Sequence, residues 1–172
     1  MSGVLQYSLA HVRVKKQGHT RRKIRFSKGI SIKSKKQDPT TWVTIYFDAA
    51  FNSRESKSMA GLVVIDRMGE IINTKPASNS NVSSSFAAKA YAGLHAVRLG
   101  TSIGLCSVTI KGDSCTVIQK CKTKEKDKSA ISATIRDIQE ESKFFQEISF
   151  HFINRTNNML AHKIADEALK RE

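Results

Sequence analysis

Two aspartates carry the first chemical signal. Asp48 closes the apolar run Trp42-Val-Thr-Ile-Tyr-Phe, and Asp113 closes Val108-Thr-Ile-Lys-Gly. Both runs read as buried strands ending in an acid. Acids in apolar strands are uncommon without partners. Carboxylates brought together repel, and such a group is stable mainly around a divalent cation. Each aspartate also has a plainer reading. Asp48 can cap a turn at a strand end, and Asp113, in Gly112-Asp113-Ser114, can cap the next helix.

The elements that must position this pair follow from pattern. Strands are expected over 42–48, 59–66 and 70–77, with polar turns at 52–58 and 67–70, as an antiparallel meander. A long helix is expected over 83–100, with Ser83, Ser84 and Ser85 as candidate caps and Gly100 as its stop. Its largely apolar face includes Ala87, Ala90, Tyr91, Leu94 and Val97. A strand over 106–112, helices over 114–120 and 129–145, a strand over 147–154 and a closing helix over 156–171 complete the order. Strands first, then alternating helix and strand, predict an α/β fold: a mixed five-stranded sheet, meander then parallel strands, flanked by helices.

Several short motifs fall on these elements in a fixed order. They are Tyr46-Phe-Asp48-Ala-Ala-Phe51, Ala60-Gly-Leu-Val-Val-Ile-Asp66 with Gly69-Glu70, Ala87-Ala-Lys89-Ala-Tyr-Ala92, Lys111-Gly-Asp113-Ser114, and Asn154-Arg-Thr-Asn-Asn158-Met-Leu-Ala161-His162. Together they resemble an RNase H domain of the reverse-transcriptase-like type found in plant retroelement-derived proteins. The resemblance covers most of the chain from Trp42 onward.

That resemblance implies an RNase H-like fold and hydrolysis of the RNA strand of an RNA–DNA hybrid by two Mg²⁺ (or Mn²⁺) ions about 3.5–4 Å apart. The family holds its metals with four acids, because closely spaced hard cations want several negative charges around them. Asp48 matches the first acid and Asp113 the third, which makes them the implied catalytic and metal-binding residues. Lys89 stands where the pattern Ala-Glu-x-x-Ala has its Glu. His162 stands where Asn-x-x-Ala-Asp has its final Asp. An ammonium at the second position repels cations, but it can sit near the metals' place and pair with Asp48 and Asp113, or receive a phosphate. Alternatively, Lys89 faces solvent. A histidine at the fourth position can ligate softer metals or move protons. Alternatively, His162 is a surface or helix-start residue.

Composition narrows the remaining classes. The chain has 172 residues, room for one domain plus an extension. Asp38-Pro39 marks the expected boundary, with a basic, unstructured arm expected over 1–38 and the RNase H-like domain over 39–172. The formal net charge is +14. Residues 1–38 hold 11 Lys or Arg and a single acid, +10, which leaves +4 for the rest. Arg21, Arg22, Lys23, Arg25, Lys35 and Lys36 are therefore the candidate nucleic-acid contacts, to hybrid or duplex. The same runs read as a nuclear import signal, an organelle transit peptide or a solvated tail. The lysines from Lys120 to Lys128 read as a solvated loop or a short hybrid-gripping one.

Three cysteines without a C-x-x-C spacing argue against a disulfide framework and a zinc knuckle, and fit a reducing compartment. No apolar run reaches the ~20 residues of a membrane span, and no signal peptide is evident. The expected location is intracellular, nuclear or cytoplasmic. Three functions remain open: a nucleic-acid-binding domain with weak or lost hybrid ribonuclease activity, an active metal-dependent ribonuclease with a reduced ligand set, or a protein-interaction scaffold that keeps only the fold.

Overall fold

The strand that carries Asp48 is longer than its acid suggests. In the computed structural model β1 runs Val43–Asn52, so Asp48 stands inside the strand rather than at its end. The reason is the hairpin: Ala49 to Asn52 continue the ladder against Ala60 to Lys57. The structure describes residues 42–123 and 128–171, together with a short antiparallel pairing of Tyr7–Ser8 with Ser27–Lys28. The proposed arm contacts Arg21, Arg22, Lys23, Arg25, Lys35 and Lys36 lie outside the described residues, as do Lys124 and Lys126.

The remaining elements are β2 (Lys57–Ile65), β3 (Ile71–Asn79), α1 (Ser85–Ser102), β4 (Ser107–Gly112), α2 (Cys115–Lys122), α3 (Ser132–Ser142), β5 (Glu147–Phe152) and α4 (Met159–Leu169). A 3₁₀ turn, Arg155–Asn157, leads into α4. The sheet order is β3-β2-β1-β4-β5. β1, β2 and β3 pair antiparallel, while β4 pairs parallel with both β1 and β5. This is the expected mixed five-stranded sheet, and it is an RNase H-like fold.

Burial follows from which helices cover which strands. Val43, Ile45 and Phe47 of β1, with Val108 and Ile110 of β4, join α1, α2 and α3 in the main core. β2 is buried on both faces: Ala60, Leu62 and Val64 face that core, while Val63 packs with Ala161 and Ile164 of α4 on the other side. Its near-continuous apolar sequence is what a doubly covered strand requires.

Two helix ends differ from the sequence reading. Ser84 caps α1, its hydroxyl accepting from the Ala87 N–H at 3.1 Å. Gly100 does not stop this helix. It is buried inside it, where a Cβ would come 3.0 Å from the Phe145 ring. The chain instead turns beyond the helix at Gly104, which has φ +75°. Phe145, expected within a helix over 129–145, lies beyond Ser142, and its ring fills that space beside Gly100.

Candidate nucleic-acid site

Parallel pairing sets the two aspartates side by side. Phe47 of β1 is the partner of Gly112, the last residue of β4, and the next residue along the chain from each is an aspartate. Gly112 is obligatory there, because a Cβ would stand 2.6 Å from Phe47 Cε1. Both carboxylates are buried, with Asp48 and Asp113 side chains 3% and 6% exposed. Asp113 does not act as a cap: Ser114 holds the cap position of α2.

α4 approaches from the other side of Asp48. Gly61 is the β2 partner of Asp48, and its missing side chain decides how close the helix comes. A Cβ at Gly61 would strike the Ala161 carbonyl and stand 2.7 Å from the Ala165 nitrogen. With α4 seated on bare backbone, His162 Nδ1 lies 2.8 Å from Asp48 Oδ2. Asn158 fixes the helix start. Its Nδ2 donates to the Phe47 carbonyl at 2.8 Å, and its own carbonyl accepts from the His162 N–H at 3.1 Å.

Lys89 reaches the pair from the second turn of α1. Its Nζ donates to Asp113 Oδ1 at 2.6 Å and lies 3.4 Å from Asp48 Oδ1. The first contact is a hydrogen bond. The second is an ion pair only, since Asp48 Oδ1 has no hydrogen-bond partner. An ammonium shared by two buried carboxylates supplies the counter-charge that burial demands.

The imidazole of His162 also has a defined orientation. Nε2 lies 2.8 Å from Arg155 Nη2 and 3.5 Å from Asp166 Oδ2. A guanidinium has no acceptor, so the shorter contact makes Nε2 the acceptor. The proton then sits on Nδ1 and is donated to Asp48. The four residues singled out in the sequence, Asp48, Lys89, Asp113 and His162, are thus one connected cluster. Three others escaped sequence reasoning as site-builders: Gly61, Arg155 and Asn158. All three lay within quoted motifs, but only their long-range partners reveal their work.

The other titratable candidates lie elsewhere. His151 is exposed on β5. His95 Nε2 contacts Asn79 Oδ1 at 2.9 Å, and burial, then Arg98 and Lys75, push it down from 6.5 to about 4. Cys106, Cys115 and Cys121 are free thiols, and burial pushes Cys121 up to about 12. Among the described residues no group of three or more His, Cys, Asp or Glu is placed to hold a metal, and no helix is long and apolar enough to cross a membrane.

Residues 46–168 match the family model described as reverse transcriptase-like. The chain belongs to that family. Solved structures agree on the fold of this reverse transcriptase-like protein. RNase H1 from the halophilic archaeon Halobacterium salinarum superposes with a TM-score of 0.70 at 20% identity, over 76% of this chain and 99% of that one. The N-terminal RNase H domain of a Mycobacterium tuberculosis protein gives 0.69 at 16% identity, over 77% and 96%. LC11-RNase H1, isolated from compost by a metagenomic approach, gives 0.63 at 18% identity, over 74% and 99%, in a structure with an RNA/DNA hybrid. Among curated protein sequences no significant match is found.

Proposed function

We propose that this chain is a nucleic-acid-binding domain of RNase H descent whose hybrid-cleaving activity is weak or lost. One observation carries the proposal: the Lys89 ammonium lies 2.6 Å from Asp113 Oδ1 and 3.4 Å from Asp48 Oδ1. Lys89 and His162 take the second and fourth of the four acidic positions. A pair of Mg²⁺ ions needs several carboxylates and near-octahedral oxygen sets. Here two carboxylates remain, and a cation already bridges them. The residues present do not fit two metals, because an incoming ion would have to displace a charge-paired ammonium. Lys89 keeps 27% of its side chain exposed, so it can receive a phosphate without leaving the pair. The partner on this reading is an RNA–DNA hybrid or duplex, as in the LC11 complex.

The finer assignments belong to the same reading. The domain occupies 39–172, and residues 1–38 form a basic arm in which Arg21, Arg22, Lys23, Arg25, Lys35 and Lys36 add phosphate contacts. The origin is a plant retroelement, and the compartment is nuclear or cytoplasmic.

The test is hybrid cleavage in Mg²⁺, Mn²⁺ and chelator. Wild type is expected to cleave little in all three, while hybrid binding persists in chelator. Lys89→Glu with His162→Asp should create metal-dependent cleavage, and Asp48→Asn should abolish it in that background. Strong Mg²⁺-dependent cleavage by wild type, lost in Asp48→Asn, would establish an active enzyme with a reduced ligand set instead.

A further inference from the structure

Among the described residues, one half of the sheet has no helix on one of its faces. α4 packs on β1 and β2 and touches β3, while α1, α2 and α3 lie on the opposite face. Among the described residues, nothing of comparable extent covers β4 and β5 on the α4 side. The side chains exposed there follow from alternation. Val108, Ile110, Ile148 and Phe150 point into the main core, so Thr109, Lys111, Ser149 and His151 point out.

These residues form rows across three adjacent strands. Tyr46 pairs with Lys111, and Lys111 with His151. One step further from the aspartates, Thr44 pairs with Thr109, and Thr109 with Ser149. Lys111 Nζ stands 5.5 Å from the centre of the Tyr46 ring, and Ser149 Oγ donates to Thr109 Oγ1 at 3.2 Å. The first row is an aromatic ring, an ammonium and an imidazole. The second is three hydroxyls. Neither row contains a carboxylate, and Glu147, partner of Ser107, stands beyond them at the end away from Asp113.

We propose that this open face binds single-stranded nucleic acid, which then runs toward the Asp48–Lys89–Asp113 cluster. Charge complementarity identifies the occupant. Lys111 and His151 are the basic groups of the two rows, and they match phosphate. The three hydroxyls suit phosphate and sugar oxygens, and the exposed His151 ring offers surface to an unpaired base. A protein partner would need an apolar centre to bury, and these rows hold none beyond the Tyr46 ring, which already packs beside α4. An open sheet face also suits unpaired bases, which can lie on it, better than a closed duplex. The surface is separate from the Lys89 cluster, so the two can be tested apart.

The experiment titrates the full chain with short labelled single strands of RNA and of DNA, and with an RNA–DNA hybrid, in chelator at several salt concentrations. Lys111→Glu with His151→Ala should weaken single-strand binding about tenfold or more and flatten its salt dependence. Ser149→Arg, adding a cation to the same face, should tighten it. Lys89→Ala should act mainly on the hybrid. RNA and DNA arms that respond alike identify phosphate and base stacking as the recognised chemistry, and a larger effect on RNA adds the 2′-hydroxyl. Single-strand affinity unchanged in both face variants would overturn the proposal and assign such binding to the arm. So would displacement of the strands by an acidic polypeptide at equal concentration. If hybrid binding ignores Lys89 while single-strand binding follows Lys111, the proposed function fails and this inference stands.

Discussion

Helix α1 presents two basic side chains to polar partners, and the surroundings treat them in opposite ways. Lys89 meets two buried carboxylates and serves as their counter-ion. His95, six residues on, meets the amide of Asn79, with Arg98 and Lys75 close by, and is held neutral. The helix is the same, but an imidazole is a much weaker base than an ammonium and is more easily held neutral. What the sheet offers adds to this: the β1–β4 end supplies two negative charges, while β3 supplies the Asn79 amide and a further positive charge at Lys75. The same helix thus carries one basic side chain that serves as a counter-ion to buried acids and one that lies neutral beside an amide.

The largest effect should come from removing the cation. Lys89→Ala leaves two buried carboxylates without their partner, and stability should fall by about 3–5 kcal/mol. Millimolar Mg²⁺ should then raise the melting temperature of the variant, because a ligand stabilises the state that binds it, yet barely move wild type. Thermal unfolding with and without Mg²⁺ reads both. Equal Mg²⁺ responses in the two proteins would mean that the ammonium is not the group holding the acids together.

Gly61→Ala attacks the site through backbone alone. The added methyl collides with Ala161 and Ala165, so α4 must move off β2 at about 3 kcal/mol, the upper end of overpacking. The His162 ring resonances should shift in an NMR spectrum while those of His95 stay in place. A shift of both would show that the two regions are one mechanical unit.

The contrast predicts an acid limb of stability that belongs to His95. Its folded value is lowered from 6.5 to about 4, so between those pH values the unfolded chain binds more protons than the folded one. Stability is therefore full above about 6.5, falls as pH drops toward 4, and loses up to about 3 kcal/mol over that window. Urea unfolding of wild type and His95→Gln across this range should show a flatter profile for the variant. Parallel profiles would assign the acid limb to other groups.

Asn158→Ala should have the smallest effect, about 1–3 kcal/mol, because it leaves the buried Phe47 carbonyl without its donor. Asn158→Asp should do at least as much harm, since a carboxylate cannot donate to that carbonyl. Denaturant unfolding of the two variants checks the order.

Much of this was legible in the sequence because apolar runs and their punctuation are local. The strands, the order of elements and the neighbouring positions of Asp48 and Asp113 come from such runs. The extension of β1 to Asn52 was not legible, since it depends on pairing with β2. The role of Gly100 was misread because a glycine late in a helix resembles a stop, and only Phe145, remote in sequence, shows it as a close-packing position. The placement of Lys89 and His162 in one cluster was anticipated by motif position. Their distances, the tautomer imposed by Arg155 and the neutral state of His95 required three-dimensional neighbours. The arm over 1–38 remains a proposal from charge alone.

Helices ordinarily fray from their ends, and the first turn is the first to open. Asn158 changes that for α4. It ties the first turn to the central strand through Phe47 and carries the bond to the His162 amide. The His162 amide proton should therefore exchange with solvent as slowly as those of β1, and much more slowly than the amide protons at the Leu169 end. Exposure of Asp48 and release of His162 then become a single rare event on the timescale of sub-global opening, rather than a frequent local fluctuation.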